Sequence, residues 1–345
     1  MSRIRIPFSI AAFAVLATPF WAAFCARPAA AQTPQTPASQ PAAAEPALPK
    51  GLKTPGVARP LSDIKSTEIY SVAGTPDWKV MTKDAVWVTS ARANHVVQLL
   101  PGTGKTGLIA EIAKPCSGLA YGWGSVWVPS CGAKMLVRVD ETTGKSTAEI
   151  PADPANSEGG IAVGDGAVWL VAKPSTLLRV DPVSNSIAAR LDLPSQSEDP
   201  FFADGFVWIT SFGHNALLKV DPKAMKLVAT IPVGPKPRFL TAGAGSVWTL
   251  NQGDGTVSRV DIKTGNVAAT IDCGLPGEGG EITFGAGSVW ATLFNIPLTQ
   301  IDPATNKPVK QWAGKGGDGL QFGFGSLWLS NFAQQTVWRI SPDQK

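Results

Sequence analysis

With 345 residues, 35 Gly, 29 Pro and 12 Trp but only 16% charged residues, the chain can bury a large core and is composed like a turn-rich β protein rather than a helical one. Its formal charge of +4 sits at the start. Arg3, Arg5 and Arg27 lie in a segment without acids, and without them 27 basic residues face 26 acidic ones, a net of +1. That balance excludes a surface built to hold nucleic acid by bulk charge, so no nucleic-acid partner is expected.

The first predicted element is a processing signal. Arg3 and Arg5 precede an apolar run from Ile6 to about Phe24, and Ala29, Ala30 and Ala31 supply small residues for cleavage after Ala31. Residues 1–31 therefore read as a Sec-type signal peptide, and the protein is expected to be periplasmic or secreted. Retained as an anchor, the run would approach the ~20 residues that span a bilayer. Only then would a membrane be a partner. Residues 32–63 are rich in Pro, Ala and Gln, with too few large apolar residues to offset ordering, and read as a disordered linker.

Residues 64–345 repeat. Trp87, Trp127, Trp169, Trp208, Trp248, Trp290 and Trp328 recur at gaps of 40, 42, 39, 40, 42 and 38 within runs such as "GSVWVPS", "GFVWITS" and "GSLWLSN". Around each lie four short β-branched stretches separated by turn residues, with no helical period. Seven four-stranded antiparallel sheets predict an all-β, seven-bladed β-propeller. The last copy lacks its fourth strand, and "STEIYSVAG" (66–74) has the pattern to supply it. An N-terminal strand thus completes the last blade and closes the ring.

Repeated residues need structural explanations before functional ones. Asp140, Asp181, Asp221, Asp261 and Asp302 open turns in which an Asp side chain bonds backbone N–H groups two residues on. The tryptophans read as packing between sheets. The stretch "LLPGTGKTG" (99–107) imitates a phosphate-binding loop, but the leading glycine is replaced by Leu99 and a short strand follows instead of a helix. It aligns with Asp140–Lys145 of the next copy, so it reads as a strand three-to-four turn. No nucleotide is expected.

The cysteines suit an oxidising compartment. Cys116 and Cys131 flank the hairpin "CSGLAYGWGSVWVPSC" symmetrically about Trp123-Gly124, which puts them opposite each other and predicts a cross-strand disulfide in blade two. Cys273 is left as a buried free thiol.

The unit G-x-G-S-V-W-V … L-x-R-V-D-P-x-T-G-x-V-x-A-x-I resembles the YVTN/NHL-type seven-bladed propellers of exported bacterial proteins, and is similar to the repeats of the streptogramin B (virginiamycin B) lyase family. The resemblance implies a propeller over 66–345. In the lyases it also implies a catalytic His and a magnesium site with Glu ligands on one face. The positions three residues past each tryptophan, where a Glu is sought, hold Ser90, Ser130, Ala172, Ser211, Asn251, Leu293 and Asn331. The loops before each first strand contain no His.

In such a propeller the blade-to-blade loops and the strand two-to-three loops share one face. Variable loops on a rigid scaffold are where function concentrates. That face is expected to carry Asp77, Trp78, Arg92, Glu198, Asp199, His214, Arg238, Asn251, Asp254, Glu278, Glu281, Asn295, Asp318 and Asn331. Such a mixed polar rim suits a small polar ligand or a loop of a partner protein. His95 and His214 read as surface histidines of two-to-three loops, no cluster has zinc spacing, and no Gly-x-Ser-x-Gly elbow is present. No cofactor is expected, although an oxygen-ligand calcium or magnesium site on the rim stays open. The sequence thus predicts a monomeric binding or interaction module, with a lyase- or lactonase-like enzyme using rim carboxylates and a divalent cation as the alternative.

Overall fold

The computed structural model describes residues 57–344 apart from Ser157, Leu275, Pro276, Glu278 and Asn295. The expected signal peptide, most of the expected linker, and Glu278 and Asn295 of the predicted rim lie outside the described residues. Seven antiparallel sheets form a ring, as the repeat predicts, and among the described residues helix is confined to three short 3-10 turns. Blade one comprises Pro76–Met81, Val86–Ser90, His95–Leu100 and Lys105–Glu111. Its successors repeat that order as far as blade seven, which has Leu320–Gly323, Ser326–Asn331 and Thr336–Ile340. Ser66–Ser71 completes blade seven, pairing antiparallel from Ser66 opposite Ile340 to Ser71 opposite Thr336.

The second strand of each blade lies mid-sheet between two neighbouring sheets, so it is buried on both faces; Val86–Ser90 and Ser246–Asn251 contain no exposed residue. All seven repeat tryptophans are fully buried there. Six of them donate Nε1–H to the carbonyl five residues earlier, as Trp169 does to Gly164 at 2.9 Å and Trp248 to Gly243 at 3.0 Å. Blade one has a longer hairpin turn, and Trp87 Nε1 there has no partner. Arg138 and Arg259, opposite Trp127 and Trp248 on the third strands, place their guanidinium groups 5.0 and 4.9 Å from those rings. Each reaches on to the next blade, Arg138 to Pro182 O (2.8 Å) and Asn185 Oδ1 (3.0 Å).

The Gly-x-Gly turns do two jobs. The second glycine, as at Gly245 (φ +70°) and Gly287 (φ +74°), takes the left-handed conformation the turn needs. The first is a packing residue: a Cβ on Gly243 would fall 2.1 Å from the Phe284 ring of the next blade, and one on Gly285 would fall 2.0 Å from Phe322.

The turn aspartates behave as expected, Asp140 Oδ1 accepting from the N–H groups of Thr142 (3.1 Å) and Thr143 (2.9 Å). The phosphate-loop imitation is the predicted turn, with Thr103 N–H bonded to Leu100 O. Its Gly102 N–H points at an anion from within the protein, the Glu68 carboxylate, at 2.9 Å. Glu68 also pairs with Arg339 (3.1 Å) and accepts from Tyr70. Burial works against its charge, but these donors prevail and hold its pKa below the usual carboxylate value.

Three expectations are refined. Ala58–Pro60, inside the expected linker, adds a fifth strand to blade six, parallel to Lys307–Ala313, because Val57 and Ile64 find buried sites on either side of it. The Cys116–Cys131 disulfide forms, with Cα atoms 5.7 Å apart. The two cysteines are not directly opposed, however: Pro115 pairs with Ser130 while Gly122 pairs with Ser125, so the register slips by two residues between them. His95 opens the third strand of blade one rather than lying in a loop. Cys273 is free and buried, and burial pushes its thiol up.

Candidate functional site

Counting back from each repeat tryptophan resolves the inner strands into rings around the channel. Ten residues back lie Asp77, Ser117, Gly159, Glu198, Arg238, Gly280 and Asp318, and nine back lie Trp78, Gly118, Gly160, Asp199, Phe239, Glu281 and Gly319. Half of the predicted rim residues fall on these two rings. The glycines are the counterpart of the large side chains opposite. Trp78 crosses the channel to meet Phe239 edge-to-face at 5.6 Å, lying over Gly118. Asp199 lies against blade three, where a Cβ on Gly160 would fall 1.5 Å from its Oδ1.

Lys79, which the sequence reading passed over, holds the ring closure. It sits in the column eight residues before the tryptophans, otherwise Leu119, Ile161, Pro200, Leu240, Ile282 and Leu320. A lone lysine in an apolar column was the available signal. Its Nζ donates to Asp77 O (2.7 Å) in its own blade, and to Gly319 O (2.8 Å) and Ser330 Oγ (2.7 Å) in blade seven. Burial lowers its ammonium to about 8. Beside it the Asp77 and Asp318 carboxyls face each other, and Asp318 Oδ1 accepts the Gly280 N–H (3.0 Å); burial and the negative Asp318 push Asp77 well up, and burial raises Asp318. Asp199 and Glu281 are only 6% and 8% exposed, and burial raises both well above the usual carboxylate range.

Two cavities follow from this arrangement. A chamber of about 220 Å³ is lined by Trp78, Lys79, Asp199, Phe201, Leu240 and Glu281, among others. A vestibule of about 710 Å³ opens on the loop face between Glu158, Phe212, Lys236, Arg238, Gln252 and Phe294. Arg238 forms an ion pair with Glu198 and lies 4.4 Å from the Phe212 ring, and its Nε is buried without a partner. Phe294 and Phe332 are exposed and stack edge-to-face at 5.5 Å. Phe212, Phe294 and Phe332 all stand four residues past their tryptophans, an aromatic recurrence in polar loops that the rim prediction missed.

The remaining described residues of the predicted rim are not drawn into the channel. Asn251 is buried and spends its amide on Thr256 (2.9 Å) and Ser258 (2.8 Å), and Asn331 accepts from Gln334 N–H. Asp254 caps its own turn through Thr256. Arg92 and His214 are exposed on 3-10 turns, with His214 Nδ1 3.2 Å from Ser211 Oγ. Among the described residues, no three His, Cys, Asp or Glu stand close enough together to hold a metal ion. The positions three past the tryptophan instead anchor the blade-to-blade connections, as Ser90 Oγ does to Ala73 O (2.5 Å) and Ser130 Oγ to Ala113 O (2.6 Å).

Fold and site together define a seven-bladed β-propeller with a ligand-sized well on its loop face. Among solved structures the chain is similar to a streptogramin B lyase at a TM-score of 0.65 and 19% identity, over 79% of this chain and 96% of that one. It is also similar to a catalytically inactive virginiamycin B lyase from Staphylococcus aureus with quinupristin, at a TM-score of 0.67 and 16% identity, over 79% of this chain and 98% of that one. No protein-family model and no curated protein matches the sequence. At these identities the likeness is one of fold.

Proposed function

We propose that the protein is an exported ligand-binding propeller that takes a small molecule, or a loop of a partner protein, in the vestibule and channel of its loop face. The observation that carries this reading is the vestibule of about 710 Å³, within the size range of small-molecule sites and lined by aromatic rings together with charged and amide groups. Export is supported by the signal-like N-terminus, and the Cys116–Cys131 disulfide is compatible with an oxidising compartment. The described carboxyls favour binding over divalent-metal chemistry. Glu198 is committed to Arg238, and among the described residues no three carboxyls converge closely enough to hold a metal ion.

A thermal-shift screen of small molecules of graded charge and of divalent ions tests the proposal. A ligand that stabilises the wild type, and stabilises Phe294→Ala less, supports it. Stabilisation by divalent ions alone, indifferent to Phe294→Ala, overturns it.

A further inference from the structure

Resting on that reading, we infer that the chamber beneath the vestibule takes an organic ammonium ion, its cationic head held by the Asp199 and Glu281 carboxyls and its apolar body lying along Trp78. Both carboxyl side chains are more than nine-tenths buried, and both line the chamber. Among the described residues neither forms an ion pair, although Lys79 stands near Glu281 and Arg238 near Asp199. Glu281 Oε1 accepts the N–H of its neighbour Ile282, at 3.3 Å, and among the described residues no side chain bonds its carboxylate. The Leu240 N–H nearby favours the charged form of Asp199, against the larger effect of burial.

Lys79, the one basic residue among the described lining of the chamber, has its three N–H donors committed to Asp77 O, Gly319 O and Ser330 Oγ. Arg238 is committed to Glu198 in the ring above. Two carboxyls without an ion pair, in a desolvated chamber, call for either a proton each or a positively charged guest.

The rest of the wall selects among cations. Calcium or magnesium needs about six oxygen donors around it. Besides the carboxyls from blades four and six, the chamber wall carries Thr241, Thr283 and Gln321 and the apolar Leu119, Ile161, Phe201, Leu240 and Ile282, and among the described residues no third carboxyl stands close enough to complete a metal site. An ammonium needs only two or three acceptors, and its carbon chain fits apolar walls. The aromatic rings of Trp78 and Phe201 add attraction for the positive charge.

The guest competes with protons. Glu281 is faced by Asp199, Lys79 and Asp77, and Asp199 by Glu198, Arg238 and Glu158. With burial raising both carboxyls, affinity for the ammonium should increase as pH rises from 5 to 8.

Titration calorimetry on the full-length protein tests this with phenethylammonium chloride against phenylacetate and magnesium chloride, and with N-acetyl-lysinamide to tell a free amine from a peptide lysine. The expected result is binding of one or both ammonium probes, tighter at pH 8 than at pH 5. Asp199→Asn and Glu281→Gln should each weaken it about tenfold or more while leaving the circular dichroism unchanged. Undiminished binding in both variants overturns the assignment. If phenylacetate binds in a Phe294-dependent way and neither ammonium does, the charge assignment falls and the ligand site stands. If no probe and no compound of the wider screen binds, both fall.

Discussion

The two faces of the ring are built from the same repeats and differ in how they spend them. On the turn face, corresponding residues do the same work in blade after blade: an aspartate caps the strand three-to-four turn, an arginine lies over the tryptophan, and a glycine makes room for the next blade's side chain. On the loop face, corresponding positions diverge. The two channel rings hold five acids, one arginine and one tryptophan among one serine, five glycines and a phenylalanine, and the acids are buried or half-buried, with partners that differ from blade to blade. Uniformity marks what holds the ring together, and divergence marks where a ligand can be read.

The contrast predicts opposite responses to substitution. Trp248→Ala should cost about 3–5 kcal/mol by emptying a fully buried site. Phe294→Ala, on the exposed rim, should stay within about 0.5 kcal/mol. Denaturant unfolding of both variants checks this, and comparable losses would erase the distinction between faces. Replacing Cys116 and Cys131 by Ser opens a link of sequence separation 15 and should cost about 3 kcal/mol. Gly243→Ala should cost about 1–3 kcal/mol through collision with Phe284. Gly245→Ala meets open space and should lose only about 1 kcal/mol, through its left-handed backbone.

The pH dependence of stability sharpens the same comparison. The turn aspartates Asp140, Asp181, Asp221, Asp261 and Asp302 have lowered pKa values. Their contribution is therefore complete above the unfolded carboxylate value of ~3.9 and is lost as pH falls below it. Asp77, Asp199, Glu281 and Asp318 are raised. The folded state then binds more protons than the unfolded one, and stability falls as pH rises from ~4 through their folded values. Melting temperature should therefore peak on the acid side of neutrality and decline toward pH 8. In Glu281→Gln and Asp199→Asn the decline should be shallower; an unchanged slope would show that these carboxyls do not titrate as placed.

The uniform face was the legible one. Tryptophan spacing gave seven blades, the missing last strand located Ser66–Ser71, and hairpin symmetry paired Cys116 with Cys131, though the two-residue slip in that hairpin leaves no mark in the sequence. The divergent face was half legible. Asp77, Trp78, Glu198, Asp199, Arg238, Glu281 and Asp318 line the channel rings, whereas Asn251, Asn331 and Asp254 make local hydrogen bonds, which polarity at a loop does not reveal. Lys79 escaped because it serves the closure between first and last blade, a contact 240 residues apart in sequence.

Hydrogen–deuterium exchange on the full-length protein, with and without a saturating ligand from the charge-graded screen, tests the central claim most directly. Added protection is expected in peptides covering 77–79, 198–199, 236–240 and 281–283, with the turns at 142–145 and 262–265 unchanged. Protection concentrated at those turns, with the channel rings unchanged, would contradict it.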